Sequence, residues 1–319
     1  MNLETLSRLS EQEARELMER SRWPDGAACP WCGAVDVHKL GGKAAERGIW
    51  KCRDKDCRRQ FSATSGTVFH GSHIPIRTWL IAVFLICTAK KGISAMQLQR
   101  QLGLKTYKAA WFMAHRIRHA MMQEPLKAML MEGRVEADET YLGGKPRPKQ
   151  YGRRDYKTMG KQRPTNKIPV MALVQRDGEA RAFPVDVRIG HTTLADAVKQ
   201  HVHPDADVLT DSAAHYKTVQ RGPRKGRHYQ VNHSIGEYAK GPGYWIHSNT
   251  VEGFFSLLKR GVHGQFHHIS RTHLQKYLDE FCWRWTRRKA TDAERTEMAL
   301  KAGDGKRLTY KEPTSSRQV

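Results

Sequence analysis

Apolar residues fall at Trp79, Leu80, Val83, Phe84 and Cys87, a spacing that lays one stripe along a buried helix. The run is well short of the ~20 residues a bilayer demands, so no membrane span is expected. A second helical pattern follows, with Ser94 as its N-cap and Met96, Leu98 and Leu102 able to face a core. Gly103 breaks it, and another helix is predicted from about Thr106. Two short helices around a glycine turn are the layout of a helix-turn-helix. The second helix would present Lys105, Thr106, Tyr107 and Lys108 at its N-terminal end, where phosphates or base edges are met. An ordinary helical hairpin gives the same pattern, and Leu102 and Trp111 read as core in either case.

Beyond Gly133 the period becomes two. Val135 and Ala137 share one face of a predicted strand, and Glu136 and Asp138 the other. Two further strands flank the hairpin dipeptide Asp177-Gly178. Thr192 or Thr193 is placed to cap a helix running to about His201, and Asp207-Val-Leu-Thr-Asp211 reads as a buried strand. On the next helix Val251, Phe254, Phe255 and Leu258 make the core stripe, with Asn249, Glu252, Ser256 and Lys259 beside it. A last apolar stripe joins Leu274, Tyr277, Leu278, Phe281, Cys282 and Trp285, and places Arg284, Arg287 and Arg288 on a DNA or solvent face. The order suits an α/β fold with a mixed, RNase H-like sheet and acids at adjacent strand ends.

Cysteine spacing adds a module. Cys29 and Cys32, then Cys52 and Cys57, form a C-x2-C pair and a C-x4-C pair nineteen residues apart, with predicted short strands between. Close thiol pairs suit a tetrahedral structural zinc site, and hence a zinc ribbon. Cys87 and Cys282 read as core thiols. The expected organisation is an N-terminal helical segment (1–26), a zinc ribbon (27–70), a helix-turn-helix region (71–132), the RNase H-like domain (133–290) and a polar tail (291–319).

Charge then narrows the partner. Lys and Arg number 55 against 32 acids, a formal +23. Such an excess favours a polyanion, because each neutralised phosphate releases counterions. The N-terminus lacks a basic-then-apolar signal pattern, so a cytoplasmic, nucleoid-associated protein with reduced cysteines is expected. In this setting Asp138, Asp211 and Glu252 form a candidate set for two divalent ions, Mg2+ or Mn2+, clamping a phosphodiester. Singly, each acid is as readily a cap or a solvated group. Asn249 and Glu252 have capping-box spacing, Glu136 and Glu139 rival Asp138, and Asn249 rivals or accompanies Glu252. Basic stretches at Lys145–Lys167 and Arg221–Arg227 are further candidates for DNA contact.

Glu136-Ala-Asp-Glu-Thr-Tyr-Leu-Gly-Gly-Lys, Thr210-Asp211 followed by Tyr216, and His247-Ser-Asn-Thr-Val-Glu-Gly-Phe-Phe-Ser-Leu-Leu-Lys-Arg-Gly resemble a family of bacterial insertion-sequence transposases. Members combine an N-terminal zinc ribbon with a DDE-type catalytic domain, and the resemblance runs from about Trp23 to Lys289. It implies Mg2+-dependent strand cleavage at element ends and transfer of the 3′-hydroxyl into target DNA, by a homo-oligomer on DNA. Carried over by motif, the first two acids are Asp138 and Asp211, and the third position is Glu252 or Asn249, because members also bear Asn there. Lys259 matches the family's basic residue, and Arg260 follows it as a DNA-facing candidate. The competing expectations are a structure-specific nuclease on the same fold and a zinc-ribbon, helix-turn-helix regulator with an inactive catalytic domain.

Overall fold

A computed structural model of the chain describes residues 1–122, 129–143, 167–185, 191–211, 219 and 225–314. The basic stretch 145–166, residues 221–224, Ser212 and Tyr216 lie outside the described residues. The chain divides into two units, Met1–Gln123 with Arg287–Val319, and Glu124–Thr286.

In the first unit α1 (Leu3–Arg8) and α2 (Glu11–Arg22) each open on a capping box, Asn2 with Thr5 and Ser10 with Glu13. The ribbon follows as β1 (Val37–Lys39), the one-turn helix α3 (Lys43–Glu46), β2 (Trp50–Cys52) and β3 (Gln60–Phe61), an antiparallel sheet in that strand order. The apolar stripe at Trp79 becomes α4 (Ile76–Thr88), with Trp79, Leu80, Val83, Phe84 and Cys87 all buried. The Glu11 carboxylate accepts the Ile76 and Arg77 N–H groups at 2.6 and 3.2 Å, so α2 caps α4.

Ser94 caps α5 (Ala95–Leu102), Gly103 ends it at φ +63°, and Thr106 caps α6 (Tyr107–Met121). Leu98 is fully buried, but Met96 is half exposed and Leu102 and Trp111 are only partly covered. Short α5 turns a single narrow stripe inward, which leaves the residue two positions before Leu98 on its outer side.

The segment expected as a polar tail is instead structured. Residues Asp292–Ala302 form α10, capped by Thr291 with Glu294, and bury Thr296, Ala299 and Leu300 in packing that includes α4. Beyond it, Asp304 pairs with Arg22 at 2.7 Å, and Lys306 Nζ donates to the Ala120 and Met122 carbonyls at 2.9 Å. A few small apolar residues in a charged helix give a weak pattern; their burial comes from a partner about two hundred residues upstream.

The second unit is a five-stranded mixed sheet. Its strands are β4 (Arg134–Leu142), β5 (Ile168–Gln175), β6 (Ala180–Pro184), β7 (Asp207–Asp211) and β8 (His228–Val231), ordered β6-β5-β4-β7-β8. β4 runs antiparallel to β5 and parallel to β7, and β7 parallel to β8, the RNase H-like arrangement. On one face Val135, Ala137, Leu173 and Val208 pack with Ala195 and Val198 of α7 (His191–His201). That helix already begins at His191, so Thr192 and Thr193 fall inside its first turn rather than at its cap. On the other face Val170, Ala172 and Ala182 pack with Val251, Phe254 and Leu258 of α8 (Asn249–Gly261) and with Leu278 and Phe281 of α9 (Leu274–Thr286).

Arg284 departs from expectation. It is 5% exposed and bonded to Glu280, itself fully buried one turn earlier. α9 is covered on more than its apolar stripe, so the pair neutralises itself inside the packing.

Leu300→Ala is expected to lower stability by about 2–3 kcal/mol, as for a large core truncation, and exposed Lys301→Ala by less than about 0.5 kcal/mol. Urea denaturation of both variants measures the difference; equal midpoints would remove α10 from the core.

Candidate functional site

The ribbon brings its four cysteines together. Cys29 Sγ lies 3.7 Å from Cys57 Sγ and Cys32 Sγ 3.6 Å from Cys52 Sγ, and all four sulfurs fall within 4.8 Å of one another. Zn–S bonds of ~2.3 Å in a tetrahedron require sulfurs roughly 3.8 Å apart, so the donor set fits zinc. All four are thiols rather than disulfides. The Ala34 backbone N–H lowers the Cys32 pKa, yet desolvation and the facing sulfurs of Cys29, Cys57 and Cys52 push it up to about 12. Four thiolates need a cation among them.

In the second unit β4 and β7 hold the two aspartates. Arg134, Val135 and Glu136 pair with Asp207, Val208 and Leu209 in parallel, and the same offset sets Asp138 beside Asp211. Asp138 is partly buried, and its Oδ1 accepts the Glu139 N–H at 2.8 Å. Its pKa is raised to about 7, chiefly by burial; that hydrogen bond opposes the rise, and the charges of Glu139, Asp211 and Glu252 add to it. One carboxyl thus feels the other two sequence-predicted acids, from a neighbouring strand and from α8. They do not draw within 4.8 Å of one another as the cysteines do.

What aims α8 at this point is Glu136. Its side chain is fully buried. Oε1 accepts from Arg176 Nε at 2.7 Å and Thr250 Oγ1 at 2.8 Å, while Oε2 accepts the N–H groups of Thr250 and Val251 at 2.7 and 3.0 Å. Arg176 also donates to the Trp245 and His247 carbonyls. Glu136 is therefore no rival to Asp138, since its oxygens are occupied as the cap of α8. The expected capping box fails for the same reason. The N-cap residue is Ser248, and Asn249 is exposed in the first helical position, its N–H donating to His247 Nδ1 at 3.3 Å. Burial and Arg176 lower the His247 pKa, which favours the neutral ring, and the Asn249 and Arg176 donors facing Nδ1 make that nitrogen the acceptor.

Glu252 sits three residues along, with 48% of its side chain exposed. Its Oε1 accepts from buried Ser248 Oγ at 3.0 Å, and His233 Nε2 lies 3.1 Å from that hydroxyl and 3.7 Å from Oε1. Ser256 and Lys259 continue the exposed stripe, and Arg260 Nε donates to the Ser256 carbonyl.

Residues 130–286 match the ISXO2-like transposase domain, and residues 9–60 match the transposase zinc-ribbon domain. The chain belongs to this transposase family. It is also 29% identical, over 283 residues, to an uncharacterized protein in transposable element ISH50 of Halobacterium salinarum, covering 86% of this chain and 90% of that protein. No solved structure matches. Among the described residues no helix of the transposase is long and apolar enough to cross a membrane.

The structure thus brings Asp138, Asp211 and Glu252 of the transposase domain into one electrostatic neighbourhood and sets Asn249 one turn before Glu252. Lys105, Thr106, Tyr107 and Lys108 are exposed around the start of α6, although Lys108 Nζ lies over the Tyr310 ring at 4.2 Å. Sequence reasoning did not find Arg176, His233, His247 or Ser248. The signal for Glu136 existed, a second acid on the same strand face two residues before Asp138, but its partners are distant in sequence.

Freshly purified protein should contain one zinc per chain, and chelation or Cys29→Ser should melt the ribbon, because such zinc supplies on the order of 10 kcal/mol of folding free energy. Metal analysis with no zinc would refute the site. Glu136→Gln leaves Arg176 without its counter-charge and should cost about 3 kcal/mol, since breaking a buried pair is strongly destabilising. An unchanged denaturation midpoint would show that the cap is dispensable.

Proposed function

We propose that this transposase binds Mg2+ or Mn2+ through Asp138, Asp211 and Glu252 and cuts and joins DNA strands at the ends of its element. The observation that carries the reading is the crowding of three acids from β4, β7 and α8 around one partly buried carboxyl in a chain of +23. Hard carboxylate oxygens suit these ions better than softer metals. Bound there, divalent ions supply Lewis-acid stabilisation of the attacking and leaving oxygens.

The residues' own tasks follow from their positions. Asp138 and Asp211 hold fixed negative charge at adjacent strands, and Glu252 closes the site from α8, oriented by Ser248. In the first step a water oxygen attacks the scissile phosphorus, the P–O3′ bond breaks, and the departing 3′-oxygen gains a proton. In the second, that 3′-hydroxyl attacks a target phosphorus and displaces the target's own 3′-oxygen. Lys259, with Arg260, meets backbone phosphates beside the site, and Lys105 to Lys108 and the ribbon hold element-end DNA. The working form is a homo-oligomer on paired ends. Glu252 is the third acid in this reading, because its charge is felt at Asp138; Asn249 offers only a neutral carbonyl oxygen.

Asp138→Asn and Asp211→Asn should abolish metal-dependent cleavage and 3′-end joining while DNA affinity holds or rises. Glu252→Gln should lose at least ~100-fold, several kcal/mol of transition-state stabilisation. Stability gives an independent check. A carboxyl raised to about 7 disfavours its charged form in the fold, so stability falls as pH climbs from about 4 through 7. Metal-free Asp138→Asn should therefore melt higher than wild type at pH 8, the gain vanishing toward pH 4. Wild-type cutting by both aspartate variants would sink the site; an inactive Asn249→Ala beside an active Glu252→Gln would transfer the third role to Asn249.

A further inference from the structure

Immediately before α8, β9 (Ala239–Lys240) and β10 (Ile246–His247) form an antiparallel hairpin whose tip is 241–245. Its inner side is anchored. Trp245 stacks edge-on with Tyr229 at 4.7 Å, lies under the Arg134 guanidinium at 4.3 Å, and gives its carbonyl to Arg176. Its outer side is not. Tyr244 at the tip is 73% exposed and Tyr238 at the root 63% exposed.

Two observations set these rings apart from ordinary surface tyrosines. Tyr244 has φ +53°, a left-handed conformation that a bulky residue rarely adopts. Such strain persists where the surroundings impose it, and it clusters at binding sites. Tyr238 is one ring removed from the acids, its centroid 5.4 Å from that of His233, whose Nε2 is 3.7 Å from Glu252 Oε1. An aromatic face so close to Glu252 meets whatever lies beside the scissile phosphate.

We propose that the β9–β10 hairpin is a stacking wedge for unpaired nucleobases, with Tyr238 and Tyr244 taking bases next to the strand that is cut. The proposal rests on the active-site reading above. A paired base inside a duplex shows only its edges, so exposed ring faces select frayed or melted DNA, where bases offer their π-faces. Asp138 is partly buried in the sheet, and exposed Tyr238 is linked to the Glu252 side of it through His233. A melted strand can reach such a carboxyl more closely than a paired duplex can. Lys225 and Arg227, just before the β8 strand whose Tyr229 holds Trp245, are exposed and suit the accompanying phosphates.

The test uses full-length zinc-loaded protein carrying Asp211→Asn, so that nothing is cut. Binding is measured by fluorescence anisotropy to a blunt duplex and to the same duplex ending in a five-thymidine unpaired fork. The forked probe is expected to bind about tenfold or more tightly. Tyr238→Ala and Tyr244→Ala should each erase most of that preference and leave blunt-duplex affinity unchanged, while Tyr→Phe at either position keeps it. Equal preference in the alanine variants, or equal loss on both probes, overturns the wedge. So does a dimer in sedimentation that the alanine changes dissociate, which would make the surface a contact between copies. Because the readout is binding without cleavage, an active Asp138→Asn would fell the active-site reading separately.

Discussion

The transposase domain is organised around a carboxylate that water does not reach. An ion taken into a protein interior costs several kcal/mol unless its lone pairs are met. Glu136 meets that cost with one guanidinium and three further donors, and two of these are the first free amides of α8. A negative charge at a helix N-terminus is also where the peptide dipoles favour it. Strand β4 and helix α8 are thereby locked in one relation. Asp138 stands two residues beyond the clamp on the strand and Glu252 one residue beyond it on the helix. Any slip of α8 would break the cap before it moved the acid.

Arg176 extends the lock to a third element. It leaves the β5–β6 turn, pairs with Glu136, and takes the Trp245 and His247 carbonyls of the hairpin that feeds α8. The ribbon has no comparable polar device. Its core is Cys29, Cys52 and Phe61, with Trp23 and Trp50 set edge-on at about 6 Å. So few apolar groups cannot offset the entropy of ordering a three-stranded sheet with two- and three-residue strands, which is why four sulfurs converge there.

Features set by local spacing were legible in the sequence. The cysteine pairs, the α4 stripe, the Ser94, Gly103 and Thr106 boundaries and the alternation through Asp138 each depend on neighbours a few residues away. Features decided by distant partners were not. Glu136 looked like a spare acid because Thr250 and Val251 lie more than a hundred residues on. Arg284 looked solvent-facing because its burial depends on what else covers α9, and Asn249 looked like a cap because β4 supplies the true one. The segment from Thr291 looked like a tail for want of α4 beside it.

That last segment has a bearing on how the protein is made. The first unit is written in two instalments, with the whole transposase domain between them. A ribosome adding about 5–20 residues per second needs on the order of ten seconds to cover that interval. Until then α4 has emerged without α10, its apolar side open to chaperones or to other nascent chains. A truncated product, from a frameshift or a premature stop inside the transposase domain, would carry an incomplete first unit. Finished translation is thus a precondition for a fully packed first unit.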